Sequence, residues 1–196
     1  MAYTDAATLK QYLGITTSDD DALLTSLIAR AQSAIDSYTQ RTFEAASDTT
    51  KRFDALPPYV NGYVLDWSPL GLDLCQITSV MNGNGVTVTA SQYTTLPTNT
   101  TPYHALRLKQ YSGVTWDYTD DWEAAITITG RWAYSITPPA DVVQACIELA
   151  SIMYNGRESV GYKRVSVDGV GSVDYGGSSS VAEVLNDIAM KYSRLV

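Results

Sequence analysis

The chain of 196 residues has few of the residue types from which catalytic and metal sites are usually built. It contains one histidine, His104, which lies in a loop-like stretch beside Pro102. A Ser/His/Asp or Cys/His site would have to use this residue. The two cysteines, Cys75 and Cys146, stand far apart without CxxC or Cys/His spacing, which favours buried free thiols over a disulfide or a zinc site. We therefore predict no catalytic residues, no cofactor and no metal ligands.

Basic residues are also scarce. There are 13 Lys and Arg against 21 Asp and Glu, so the formal net charge is −8 and the sequence pI is near 4.5. Tight binding of nucleic acid needs clustered Lys and Arg that neutralise phosphates, and this balance argues against it. No segment approaches the ~20 apolar residues of a membrane span, and the first residues lack the basic and apolar regions of a signal peptide. We expect a soluble protein made in a cytoplasm, without membrane contact.

Carboxylates and aromatic rings alternate between Trp116 and Glu123. The carboxylates of Asp117, Asp120, Asp121 and Glu123 could serve glycoside hydrolysis, and the rings of Trp116, Tyr118 and Trp122 could stack on a sugar. The alternative is an acidic turn between two strands whose rings face a partner or the core. We favour this turn and predict that the chain is not an enzyme; a carbohydrate-binding module stays open as an alternative.

Helical periodicity occurs at both ends of the chain. A short helix is predicted from Thr4, as N-cap, to Leu13, with Gly14 as its stop. A second, amphipathic helix of about five turns follows Ser18. Its apolar residues recur every three or four positions, and they are Leu24, Leu27, Ile28, Ala31, Ile35 and Tyr38. The acidic run 19–21 lies where a helix N-terminus favours negative charge.

Two more helices are predicted near the C-terminus. Thr137 is a capping hydroxyl before two prolines, and an apolar stripe runs from there to Met153. Ser180 and Glu183 form a capping box for a last helix. The Gly- and Ser-rich stretch between these helices reads as a hairpin, or as a loop that folds on a partner.

Between Phe43 and Tyr134 the apolar period changes to two, which is typical of strands. The predicted strands are Thr50–Leu56, Tyr63–Trp67, Gln76–Met81, Val86–Thr89, Ala105–Gln110 and Ala125–Gly130, with a tight turn at Asn82–Gly85. Helices segregated from antiparallel strands predict an α+β fold. We expect a single domain, 1–196, in which a helical bundle, 1–44 plus 137–196, carries an inserted antiparallel β-rich lobe, 45–136.

The order of these pieces resembles the head-tail connector, or adaptor, proteins of tailed double-stranded DNA bacteriophages. The motifs that carry the resemblance are Tyr3–Asp5 with Tyr12–Ile15, Asp19–Leu24 with Ile28–Ala31 and Ile35–Asp36, Leu65–Leu70 with Ile77–Val80, Ala125–Gly130, Thr137–Val142, and the helix from Leu149 to Tyr154. They cover most of positions 3–157. The segment 158–180 fits the pattern least.

The resemblance implies a structural protein of the virion neck, synthesised in the host bacterial cytoplasm. It implies a homo-oligomeric ring of twelve copies between the portal protein and a stopper or tail-terminator protein. DNA would pass through the axial channel without specific binding, and the acidic balance fits this because like charges prevent tight binding. Another neck or tail-completion (stopper) protein is the alternative of the same class.

We expect the segment from Tyr162 to Tyr175, and the last helix from Val181 to Leu195, to contact the portal or the adjacent subunit. Strand addition would supply backbone hydrogen bonds, and the apolar stripe of the last helix would supply burial. The candidate contact residues are Tyr162, Arg164, Val165, Val167, Tyr175, Val184, Leu185, Ile188 and Tyr192.

Overall fold

The computed structural model describes residues 2–157, 164–167, 171–174 and 177–193. Within these ranges the helices are α1 (Ala6–Leu13), α2 (Asp21–Thr39), α3 (Ala140–Gly156) and α4 (Gly177–Tyr192). The strands are β1 (Thr49–Phe53), β2 (Val60–Asn61), β3 (Val64–Asp66), β4 (Gln76–Met81), β5 (Tyr93–Leu96), β6 (Ala105–Leu108), β7 (Ile126–Arg131), β8 (Arg164–Val167) and β9 (Gly171–Asp174). The predicted α+β class is confirmed.

The chain divides into two compact units. The helical unit comprises Ala2–Gln40 and Pro139–Val196, and the β unit comprises Arg41–Pro138. Among the described residues, no helix is long and apolar enough to cross a membrane.

The first helix begins one residue later than the sequence suggests. Asp5, not Thr4, is the N-cap, and its carboxylate accepts a hydrogen bond of 2.7 Å from the backbone N–H of Thr8. This bond holds the pKa of Asp5 below its usual range. The helix ends at Gly14 as predicted, with the φ of +71° that glycine adopts readily.

The apolar stripe predicted for α2 is buried in the helical unit, except for Tyr38 at its end. Tyr38 is exposed, and its hydroxyl donates to Asn186 on α4. The N-cap is Asp20, which makes no capping bond with its side chain. Its carboxylate instead accepts from the hydroxyl of Tyr154 on α3 and lies 3.7 Å from the guanidinium of Arg157.

The third helix is buried on most of its circumference and contacts the three other helices. Its buried residues are Val142, Ala145, Cys146, Ile147, Leu149, Ala150 and Ser151. Two predicted helix starts are wrong. Pro139, not Thr137, is the N-cap of α3, and α4 begins at Gly177, so Ser180 lies in its first turn instead of at its cap.

A cluster of three polar side chains fixes the end of α4 to the start of α3. Lys191 and Tyr192 both donate to the carboxylate of Asp141, which lies in the first turn of α3. Burial alone would raise the pKa of Asp141, but the hydrogen bonds from Lys191 and Tyr192 outweigh it and hold this pKa below 3.8. The same contact raises the pKa of Lys191 above 10.5.

The β unit is built from two antiparallel sheets, with strand orders β1-β7-β4 and β2-β3-β6-β5. Their inner faces share one core. Its largest fully buried members are Phe53, Leu65, Trp67, Leu74, Leu106, Leu108, Ile126 and Ile128. Trp67 also packs its ring 5.7 Å from that of Phe53.

The predicted strands are recovered within a few residues, except for Val86–Thr89, which is wrong. That segment forms one isolated bridge to β4, between Thr87 and Met81, instead of a strand. The Val88 N–H donates to the Val80 carbonyl, and the Asn82 N–H donates to the Val86 carbonyl. Strands β2 and β5 were not predicted. The first is two residues long, and all four residues of β5 are half-buried, so neither shows an alternation of buried and exposed positions that could be recognised.

Gly130 in the central strand β7 has no room for a side chain, since an added Cβ would lie 2.1 Å from the Gln76 carbonyl oxygen on β4. We expect Gly130→Ala to lower the free energy of unfolding of the β unit by about 1–3 kcal/mol. All four tryptophans lie in this unit, so denaturant unfolding followed by tryptophan fluorescence measures the effect. The control Gly156→Ala, at the end of α3 with open space around its Cβ, should leave this transition unchanged.

The Asp141 cluster makes the stability of the helical unit depend on pH. Because the folded pKa of Asp141 is lowered, its contribution is full above about pH 3.8 and is lost as the pH falls through that folded pKa. The contribution of Lys191 is full below pH 10.5 and is lost as the pH rises through its raised pKa. Asp141→Asn should lower the melting temperature by a few degrees at pH 7 and by less at pH 2.5.

Circular dichroism at 222 nm measures this difference, and Asp187→Asn on the exposed surface of α4 is the control that should have no effect. An equal loss at both pH values would contradict the electrostatic account.

Candidate interaction surfaces

The predicted hairpin after α3 is present. Strands β8 and β9 pair antiparallel, with Arg164 opposite Asp174, Val165 opposite Val173, and Val167 opposite Gly171. In the described ranges these strands pair only with each other, so both edges carry backbone groups that a further strand could use.

The two tyrosines predicted beside this hairpin, Tyr162 and Tyr175, lie outside the described residues.

The candidate residues on α4 face the helical unit itself. Ile188 and Tyr192 are 7% and 8% exposed, and Val184 and Leu185 are half-buried. Helix α4 packs against α2 and α3. Ile188 and Tyr192 therefore hold α4 in its own unit, whereas 81% of the surface of Met190 is exposed.

The residues considered for nucleophilic catalysis are one exposed histidine and two buried cysteines. His104 is exposed, and its backbone bonds to Trp67 and Leu96. Both cysteines are buried and free, as predicted, and burial raises the pKa of the Cys146 thiol to about 12. Across the described ranges, no group of three or more His, Cys, Asp or Glu side chains could hold a metal ion.

The aromatic residues proposed for sugar stacking do not form a three-ring platform. Trp116 is buried in the core of the β unit, where its indole N–H donates 3.0 Å to the carbonyl of Tyr63. Tyr118 and Trp122 are partly exposed. The nearby carboxylates of Asp117 and Asp121 accept hydrogen bonds from backbone N–H groups one and two residues further on, as in an ordinary turn.

Sequence reasoning missed one group of basic side chains. Arg107 and Lys109 are two residues apart at the end of β6, and with Tyr63, Thr94, Leu108 and Gln110 they line a depression of about 520 Å³. Period-two alternation could have indicated that both cations lie on the outer face of the sheet. The Lys109 ammonium donates to the Ser91 carbonyl, and the side chain of Arg107 is exposed.

Three comparisons relate this fold to known proteins. The family model of the phage gp6-like head-tail connector proteins matches residues 4–66. One similar solved structure is a chain in the neck of an empty gene transfer agent (GTA) particle, a neck that was computed with C6 symmetry. It is 15% identical to this chain, with a TM-score of 0.56. A chain in the virion of a native GTA particle is 16% identical, with a TM-score of 0.52. Each match covers 99% of this chain and 91% of the other.

No curated protein matches the chain. The two structural matches show that the fold extends over the whole length of the chain, and the family match covers α1, α2 and the first three strands. The resemblance expected from the sequence is therefore confirmed: residues 4–66 match the family model of the phage gp6-like head-tail connector proteins.

Proposed function

We propose that the chain assembles into a ring of twelve copies that sits on the portal and holds the next neck component, a stopper or tail-terminator protein. The observation that carries the proposal is the match over 99% of this chain to a chain found in the neck of a GTA particle. That neck was computed with C6 symmetry, and a ring of twelve repeats under a sixfold rotation. The ring has no catalytic activity and is made in the host bacterial cytoplasm.

The charge of the chain supports a channel that lets DNA pass. The formal net charge is −8 per copy, so a ring of such chains repels phosphates unless cations are concentrated on its inner wall. A duplex in such a channel meets no strong binding site and can slide. Specific DNA binding is not part of the proposed role.

The contacts with the portal or the adjacent subunit are proposed to centre on the β8–β9 hairpin. Its open edges allow strand addition through Arg164, Val165 and Val167. Tyr162 and Tyr175, which flank the hairpin in the sequence, are proposed to take part in the same contact. On α4, Val184 and Leu185 are half-buried and can lose further surface to a partner. Ile188 and Tyr192 contribute by fixing α4 to its own unit.

Assembly is tested by cryo-electron microscopy of the purified chain mixed with the purified portal of the same particle. A closed ring stacked coaxially on the portal is the expected result, and counting its subunits checks the number twelve. An intact portal that carries no additional ring after mixing would overturn the portal contact.

The hairpin contact is tested by Val165→Pro, because proline removes a backbone donor and is poorly tolerated within a strand. We expect this variant to lose at least about tenfold in affinity for the portal or the neighbouring copy. The matched control Val165→Thr keeps a β-branched residue and should bind nearly as well. Biolayer interferometry on immobilised portal measures the first contact, and analytical ultracentrifugation of the chain measures the second. If Val165→Pro binds as tightly as Val165→Thr and the unchanged chain in both assays, the hairpin is excluded.

A further inference from the structure

Several large apolar side chains are exposed at one end of the β unit. Strand β1 ends at Phe53, which pairs with Ile126 at the start of β7, and Met81 at the end of β4 pairs with Thr127. The connections that follow β1 and β4, and the connection that leads into β7, therefore lie at the same end of the sheet. We call the surface formed by residues 54–56, 81–86 and 117–124 the loop end.

The buried side chain of Asn82 joins two of these segments. Its amide donates 2.8 Å to the Thr115 carbonyl, and its oxygen accepts 3.0 Å bonds from the N–H groups of Gly83 and Asp117. Gly83 packs so closely that an added Cβ would lie 2.6 Å from the Asp117 carbonyl oxygen. The turn after β4 is thus held against the segment 117–124.

The third segment is fixed by two further bonds. The Ala55 N–H donates 2.9 Å to the carbonyl of Trp122, and the Ala124 N–H donates 2.8 Å to the carboxylate of Asp54. Ala124 is held at a φ of +50°, which side chains other than glycine rarely adopt. These contacts give the loop end a defined shape in the free chain.

The loop end exposes large apolar side chains to solvent. The exposed fractions are 37% for Leu56, 47% for Met81, 54% for Val86, 37% for Tyr118 and 37% for Trp122. Aromatic side chains held in place before binding are typical anchors of protein interfaces, because little conformational entropy is lost when they are covered. Clustered exposed apolar residues of this kind mark interaction sites.

The charge around these residues narrows the class of partner. Asp117, Asp120, Asp121 and Glu123 are exposed here, and the sequence has no Lys or Arg between Lys109 and Arg131. Carboxylates repel nucleic-acid phosphates and anionic lipid headgroups. A protein surface with Lys and Arg around an apolar socket complements both the rings and the charge.

We propose that the loop end is a docking surface for another protein of the neck, one whose contact surface is an apolar socket bordered by Lys and Arg. The inference rests on the proposed role in the neck and adds a second contact, on the β unit, to that of the hairpin. Trp122 and Tyr118 are the anchors, and Asp120 and Asp121 steer the basic border.

The test measures binding of the full chain and its variants to the purified portal and to the purified next neck protein by biolayer interferometry at 50 and 300 mM salt. For one of these partners, Trp122→Ala should weaken binding at least about tenfold. The double variant Asp120→Lys with Asp121→Lys should reduce the affinity by a larger factor at 50 mM salt than at 300 mM salt. The control Tyr111→Ala removes the most exposed aromatic ring of the described residues, outside the loop end, and should bind as the unchanged chain does.

Circular dichroism of each variant checks that the fold is intact. If Trp122→Ala unfolds, the double variant Asp120→Lys with Asp121→Lys still tests the surface, because both of its positions are exposed. Equal binding of the unchanged chain and the loop-end variants to every partner would overturn this inference and leave the proposed function standing. Failure of the unchanged chain to bind either partner would overturn the proposed function itself. The variant Asp120→Lys with Asp121→Lys could instead lose self-association and regain it when Arg107→Glu or Lys109→Glu is added. That result would show that the loop end contacts a second copy, and it would overturn the choice of partner.

Discussion

Burial of α3 by the three other helices is the interaction on which the helical unit depends. Helix α3 comes from the C-terminal part of the chain, whereas α1 and α2 come from its first forty residues. Neither part can bury its apolar stripe alone, so the unit forms only when the two ends of the chain meet. Helix α4 then packs on α2 and α3.

The parts of the fold that the sequence predicts well are those with a strong period. The stripe of α2, from Leu24 to Ile35, and the strand Gln76–Met81 show it clearly, and both are recovered. Helix starts were misplaced because several capping residues compete: Thr4 and Asp5 are both good N-caps, and the contact that decides between them is a single bond to Thr8. Such a choice depends on local geometry that sequence pattern does not encode.

The interaction surfaces were harder to predict for a different reason. A stripe such as Ile188 with Tyr192 is apolar whether it faces its own unit or a partner, and only the packed structure shows that these two side chains are already covered. Conversely, Trp116 and Trp122 look alike in the sequence, yet the first is in the core and the second is partly exposed. The deciding fact, the hydrogen bond from Trp116 to Tyr63, joins residues more than fifty positions apart.

The rigidity of the loop end follows from the same long-range bonding. In the proposed ring, every copy would have to present its contact surfaces in one geometry, because a small angular error repeated around a closed ring prevents closure. Asn82 meets this demand with three hydrogen bonds from one buried side chain, and Gly83 with a contact too close for any other residue. Exposing Trp122 and Tyr118 on such a support lowers the entropic cost of docking, since the free chain already holds the backbone that carries them in the shape that a partner would bind.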